Sequence, residues 1–253
     1  MKKGKIVAIG GGEMGRPGYP VETTAIDKEI IRLTGKKHPK ALLLPTASAD
    51  SETYYPTFKR QYGKRLGCKT DVLYLIKEKH SKKEIERKIF GSDIVYVGGG
   101  NTMKMIGVWK RIGFDKILKK AYRRGIVLCG VSAGAICWFK YGHSDSMSFY
   151  NPKKWDYIRL KCLNYVKFIA CPHYDGADRR KEFRKMIKKI GGVGIGINNC
   201  CAMEFVGSKY RIIVSRKSAN AYKVYKKKGK VVEEKIKLKK EFTPISELFK
   251  KTL

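Results

Sequence analysis

No apolar run in this chain of 253 residues approaches the roughly 20 residues that a bilayer-spanning helix needs. The opening Met1-Lys2-Lys3-Gly4-Lys5 leads into a short strand-like run and not into an apolar leader core. A soluble, cytoplasmic protein with no membrane partner is therefore expected. Cys-x-x-Cys spacing is also missing. The seven cysteines (Cys68, Cys129, Cys137, Cys162, Cys171, Cys200 and Cys201) are odd in number and mostly lie in apolar runs, where cysteine behaves as a small hydrophobe. That pattern fits a reducing compartment. Adjacent Cys200 and Cys201 have no histidine or further cysteine close by in sequence, so neither a metal nor a cofactor is expected. Acidic residues are scarce: 22 Asp and Glu face 56 Lys and Arg, a formal net charge of +34. Such an excess invites a nucleic-acid partner. Yet the cations are mostly lysines spread over nearly every helical stretch, without zinc-finger spacing, an RNA-recognition signature or an arginine-rich arm. Solvated faces account for the charge better. Non-specific polyanion binding at low salt is expected, and a specific nucleic-acid partner is not.

With 43% hydrophobic residues the chain can bury one substantial core, and it reads as a single domain over 1–253. Short runs rich in Val, Ile and Leu alternate with amphipathic stretches. Strands are expected at Lys5–Ile9, Ala41–Pro45, Thr70–Leu75, Ile94–Val97, Val127–Gly130, Phe168–Cys171 and Val193–Ile197. Helices are expected at Thr23–Leu33, Ser51–Leu66, Ser81–Ile89, Asn101–Ile112, Phe114–Arg124, Ala133–Phe139 and Asp178–Ile190, with a capping box at Ser81-Lys82-Lys83-Glu84. The alternation implies an α/β three-layer sandwich with a mostly parallel central sheet of the flavodoxin-like kind. Beyond Ile197 four alternating runs (Ala202–Val206, Tyr210–Val214, Ala219–Lys226 and Lys230–Ile236) read as an antiparallel edge extension over 200–240, with a C-terminal helix over 244–253. The segment from Lys140 to Lys161 shows no clear period and reads as a substrate-covering loop.

The most informative stretch is Cys129-Gly130-Val131-Ser132-Ala133-Gly134-Ala135. A serine between glycines, after an apolar run and before a helical one, has the form of a nucleophile elbow, although small residues at such a turn also serve packing alone. A second glycine cluster, Val97-Gly98-Gly99-Gly100-Asn101-Thr102, follows the preceding strand and emerges at the same sheet edge. The Gly100 and Ala133 N–H groups are the expected oxyanion donors. No Lys-Ser or Lys-Thr follows the glycines, which removes a P-loop. The glycines of Gly10-Gly11-Gly12-Glu13-Met14-Gly15 satisfy the spacing of a dinucleotide fingerprint. The following Arg16-Pro17-Gly18-Tyr19-Pro20 cannot continue the helix that would hold a pyrophosphate, so no nucleotide is expected there.

Val-Gly-Gly-Gly-Asn-Thr at 97–102, Gly-Val-Ser-Ala-Gly-Ala at 130–135 and Cys-Pro-His-Tyr at 171–174 resemble the motifs of the aspartyl dipeptidase (peptidase E) family of serine peptidases, which includes cyanophycinases. The likeness runs from about Lys5 to Val214. It implies a sheet like that of class I glutamine amidotransferases, with Ser132 as nucleophile and His173 as its base. A base is needed because a serine hydroxyl is a weak nucleophile until its proton is removed. His143 is the competitor for that role. The family's third member is a glutamate in the turn after the next strand, where this chain has Asn199 in Gly196-Ile197-Asn198-Asn199-Cys200-Cys201. An asparagine oxygen accepts the histidine Nδ1–H but carries no charge to stabilise the imidazolium. Glu204 and Asp145 are the candidates to supply it, and Asp175 is expected to orient the loop. Asn101, Thr102, His143, Tyr174 and Asp175 flank the motifs and are the expected substrate contacts; Arg179, Arg180 and His143 are candidates for a basic pocket. The leading reading is a serine peptidase acting on small peptides through an acyl-enzyme at Ser132, with aspartyl peptides the substrate class that the resemblance implies. The alternative is a catalytically weakened relative that binds a small ligand or partner. The sequence does not give the oligomeric state; a homodimer is the candidate assembly, because this architecture commonly leaves an apolar helix face free for pairing.

Overall fold

The computed structural model describes residues 3–250. In chain order it contains β1 (Lys5–Ile9), α1 (Thr24–Arg32), β2 (Lys40–Leu44), α2 (Tyr54–Phe58), β3 (Lys69–Val72), α3 (Lys82–Phe90), β4 (Ile94–Val97), α4 (Thr102–Arg111), α5 (Phe114–Arg123), β5 (Val127–Val131) and α6 (Ala133–Ile136). Then follow β6 (Phe139–Ser144), β7 (Ile158–Lys161), β8 (Val166–Cys171), α7 (Ala177–Ile190), β9 (Val193–Ile197), β10 (Cys201–Val206), β11 (Lys209–Val214), β12 (Ala221–Lys227), β13 (Lys230–Lys235), β14 (Thr243–Pro244) and α8 (Ser246–Phe249). The fold is α/β with a mostly parallel main sheet, as the alternation of runs implies. Its strands lie in the order β14-β11-β10-β1-β5-β4-β2-β3. β1 to β5 run parallel, and β10, β11 and β14 are antiparallel additions.

A second sheet, β13-β12-β9-β8-β6-β7, is a feature that run spacing does not reveal. Its centre, β6, β8 and β9, is parallel, and its outer strands are antiparallel. Strand periodicity decides how the layers meet, since successive side chains leave a strand on opposite faces. Val7, Ile9, Leu43, Tyr96 and Cys129 bury one face of the main sheet against Ile26 and Ile30 of α1 and against Phe58 and Tyr62. Ile6, Leu42, Leu44, Val95 and Leu128 bury the other against Met105 and Trp109 of α4, Leu118 of α5, and Phe168, Ile195 and Ile197 of the smaller sheet. The smaller sheet's far face packs Ile169 and Val224 under Phe183 and Ile187 of α7.

Several expectations change in detail. The four alternating runs after Ile197 are strands, but they do not form one edge: β10 and β11 extend the main sheet, while β12 and β13 extend the smaller one. The helix expected at Ala133–Phe139 is one turn, because Phe139 already belongs to β6. The aperiodic 140–161 segment holds most of β6 and all of β7, so it is partly core and not simply a covering loop. Ser51–Leu66 divides into α2 and a π-helical stretch, Lys59–Arg65. The capping box forms, with the Ser81 hydroxyl accepting the Glu84 N–H at 3.2 Å and the Glu84 carboxylate accepting the Ser81 N–H at 2.7 Å. The C-terminal helix is the single turn α8; residues 251–253 lie outside the described part. All seven cysteines are buried free thiols. Among the described residues no helix is long and apolar enough to cross a membrane.

Candidate active site

Ser132 leaves β5 with φ 55° and ψ −111°, a region in which a residue with a Cβ is strained. Its N–H donates to the Ile9 carbonyl at 3.0 Å, and its own carbonyl accepts the N–H groups of Ala135 and Ile136 at 3.0 and 3.1 Å, which hold the strained turn in place. The flanking glycines serve close backbone approach: a Cβ at Gly130 would lie 2.5 Å from the Val97 carbonyl oxygen, and one at Gly134 only 2.1 Å from the same atom. Ser132 is thus driven out of the sheet edge, half-buried.

His173 follows β8, also at positive φ (50°), with its N–H donating to the Gly10 carbonyl at 3.0 Å. Its Nε2 lies 2.9 Å from Ser132 Oγ, and its Nδ1 lies 2.7 Å from Asn199 Oδ1, in the turn after β9. Asn199 is held in turn by Asp175: its N–H donates to Oδ1 at 2.9 Å and its Nδ2 to Oδ2 at 3.0 Å. The chain Ser132–His173–Asn199–Asp175 therefore crosses the seam between the two sheets. The turn after β1 lines that seam. A Cβ at Gly11 would fall 1.9 Å from Asn199 Oδ1 and 2.4 Å from His173 Nδ1, so only glycine lets these side chains meet there. This is the structural use of the Gly10-Gly11-Gly12 run.

Burial pushes the His173 pKa below its ordinary value; the Asn199 bond opposes this, Arg179 lowers it further, and Asp145 and Asp175 raise it. The imidazole is neutral at neutral pH, as a general base requires. Of the Gly98–Gly100 run, Gly99 faces the serine, its missing Cβ 3.5 Å from Ser132 Cβ, while a Cβ at Gly100 would lie 2.3 Å from the Ala47 carbonyl oxygen. Gly99 N–H is already engaged, donating to the Tyr54 hydroxyl at 3.2 Å. Beside Val131 a cavity of about 230 Å³ opens, lined by Gly12, Glu13, Met14, Arg16, Tyr54 and Tyr96 among others.

Other expected site residues lie elsewhere. Glu204 is wholly buried on β10 and pairs with Arg211 at 2.7 Å across the β10–β11 ladder, so it does not reach His173. Asp145 pairs with Arg179; it colours the field at His173 but is no triad member. Arg179 is thus paired with Asp145 and Arg180 with Glu233, so each candidate for a basic pocket already has a carboxylate partner. His143 is wholly buried and stacked on Tyr157 at 4.4 Å, its pKa pushed down to about 3 by burial and secondarily by Arg179. It is a neutral core histidine, neither base nor surface contact. Tyr174 is buried too, its hydroxyl donating to Glu233 at 2.6 Å. Asn101 caps α4, with Oδ1 accepting the Lys104 N–H at 3.0 Å, and Thr102 is buried in the first turn. Asp175 is exposed, yet its oxygens are engaged by Asn199. Sequence reasoning missed Gly11 and Tyr54. For Gly11 the signal is the glycine run after β1, which by itself names no partner; for Tyr54 there is none, because its contact is purely tertiary.

The model of peptidase family S51 matches residues 6–213. The uncharacterized peptidase YgaJ of Bacillus subtilis (strain 168) is 33% identical over 234 residues, covering 90% of this chain and 95% of its own length. Peptidase E of Streptomyces coelicolor is 26% identical over 132 residues, 52% of this chain and 49% of its own. The crystal structure of a peptidase from an acI-B1 Actinobacterium shares the fold at a TM-score of 0.70, covering 96% of this chain and 97% of its own at 17% identity. The matched span contains the Ser132 turn, the His173 turn and the Asn199 turn alike, and on that match the chain belongs to peptidase family S51 and is peptidase E-like.

Proposed function

We propose that this peptidase cleaves amide bonds of small peptides by a serine mechanism. His173 Nε2 takes the Ser132 proton as Oγ attacks the scissile carbonyl carbon. The N–H groups of Ala133 and Gly100 receive the developing oxyanion; Gly99 is unsuitable, since its N–H is occupied by Tyr54. As the C–N bond breaks, the imidazolium passes its proton to the leaving amine, and water then repeats the sequence on the acyl-enzyme. The observation that carries this reading is the 2.9 Å approach of His173 Nε2 to Ser132 Oγ, with Nδ1 tied at 2.7 Å on the other side.

A cavity of about 230 Å³ beside Val131 is below the range of pockets that hold drug-sized ligands, which favours a single side chain of a short substrate. Its one cation, Arg16, already pairs with Glu13 at 2.9 Å, so recognition of an aspartyl side chain there requires that pair to open. The second reading, a weakened relative that binds without turnover, is favoured by Asn199 alone. Reaction with a fluorophosphonate probe separates the two. Stoichiometric labelling that is lost in Ser132→Ala and falls at least about a hundredfold in rate in His173→Ala supports the serine mechanism. A folded wild-type protein that does not label overturns it.

A further inference from the structure

We propose that Asp175 is a positioning residue of this reaction, whose carboxylate fixes the Asn199 amide and thereby the tautomer of His173; the proposal rests on the serine mechanism above. An asparagine amide can present either its oxygen or its NH2 group to a histidine, and the two choices have opposite consequences. An ionised carboxylate only accepts hydrogen bonds. Asp175 takes the Asn199 N–H at 2.9 Å on one oxygen and the Nδ2 group at 3.0 Å on the other. With Nδ2 directed outward, Oδ1 must face His173, so Nδ1 carries the proton and the Nε2 lone pair is left for the Ser132 hydroxyl.

Placement supports the assignment. Asp175 lies two residues after His173 in a turn closed by the Gly176 N–H donating to the His173 carbonyl at 3.0 Å, so one turn carries both the base and the group that orients its partner. That turn is anchored from behind by Tyr174, whose hydroxyl donates to Glu233 at 2.6 Å. The acids that sequence reasoning offered instead are engaged by arginines, Glu204 by Arg211 and Asp145 by Arg179. Asp175 puts negative charge one amide beyond the imidazole, where a triad carboxylate would touch it directly. The imidazolium formed during attack is stabilised through the Asn199 dipole.

The test compares Asp175→Asn with the double variant Asp175→Asn/Asn199→Asp, in which the charge moves one link inward while an amide can still bridge positions 175 and 199. Asp175→Asn is expected to lower kcat about ten- to a hundredfold with little change in KM, the size of one lost hydrogen bond to a charged group. Its acid limb in kcat should also move to lower pH, because Asp175 raises the His173 pKa. The double variant should recover kcat and move that limb to higher pH. Nitrogen-15 chemical shifts of the imidazole should show the Nδ1–H form in the wild type and a mixture in Asp175→Asn. An acid limb and tautomer unchanged in Asp175→Asn, whatever the loss of rate, would reduce Asp175 to a structural pin and overturn the proposal. The tautomer comparison needs no turnover, so it decides the role of Asp175 even where fluorophosphonate labelling of the wild type fails and the serine mechanism falls.

Discussion

At the scale of single residues, the site depends on one hydrogen atom as much as on its polar groups. Gly11 has no side chain because Asn199 Oδ1 and His173 Nδ1 occupy the space where a Cβ would be, at 1.9 and 2.4 Å. Gly11→Ala should therefore misplace the His173–Asn199 pair while leaving the packed layers intact. We expect a fall in kcat/KM of about a hundredfold or more, since a displacement of about 1 Å costs that much, alongside a cooperative unfolding transition. Unchanged kcat/KM in steady-state assays would show that the neighbouring side chains yield without cost. Ser132, His173 and Asn199 were legible because each stands in a local motif at a strand end. Asp175 and Gly11 carry no motif of their own, and their roles arise only when β1, β8 and β9 are brought side by side. His143, Tyr174 and Thr102 misled for the converse reason: nearness to a motif along the chain does not say whether a side chain faces the cleft or the core.

Among the elements, α1 and the π-helical stretch at Lys59–Arg65 are joined by a buried carboxylate. Asp27 accepts hydrogen bonds from Thr23 Oγ1, Gln61 Nε2 and the Tyr62 hydroxyl, each at 2.9 Å. Burial nevertheless dominates and raises its pKa to about 6, with the three hydrogen bonds opposing. A carboxyl whose folded pKa lies above its unfolded value stabilises fully below the unfolded value, and that contribution is lost as pH rises through the folded one. Between pH 4 and pH 7 the loss amounts to about 2 kcal/mol. Asp27→Asn removes the ionisation, so its unfolding free energy relative to wild type should grow more favourable by about that amount from pH 4 to pH 7.5 in urea titrations. A difference that stays flat with pH would mean that Asp27 titrates normally. The π-helical winding itself was not readable, since an amphipathic stretch looks alike for either winding. β6 was missed because Lys140, Gly142, His143 and Ser144 lack the branched apolar residues that mark a strand.

At the scale of the whole molecule, the candidate site lies where two sheets meet. Ser132 comes from the larger sheet and His173 and Asn199 from the smaller, and main-chain bonds from the β1 turn tie them: His173 N–H to Gly10 and Cys200 N–H to Gly11, at 3.0 and 2.9 Å. Run spacing exposed the strands of that arrangement but not their partners, because which parallel strands pair is set by packing that spans the chain. The charge acts on the same scale. With 56 basic and 22 acidic residues, the compact state holds a net +34 that the unfolded chain spreads over a larger volume. Self-repulsion of this kind destabilises the folded form. Salt weakens it, since the screening length falls from about 30 Å at 0.01 M to about 8 Å at 0.15 M. Salt also weakens surface ion pairs such as Lys36–Asp93 and Lys88–Asp71, but each exposed pair is worth only about 0 to 1 kcal/mol and the acids available to form them are few. Repulsion should win. Raising NaCl from 0.01 to 0.3 M at pH 7.5 is expected to raise the Tm by on the order of 5 °C, equivalent to about 1 to 2 kcal/mol in a protein of this size, with a smaller gain in a variant whose exposed lysines are changed to glutamine. Scanning calorimetry at fixed pH reads the effect directly. A Tm that falls with NaCl would show that the ion pairs, and not the excess of like charge, govern the electrostatics of the fold.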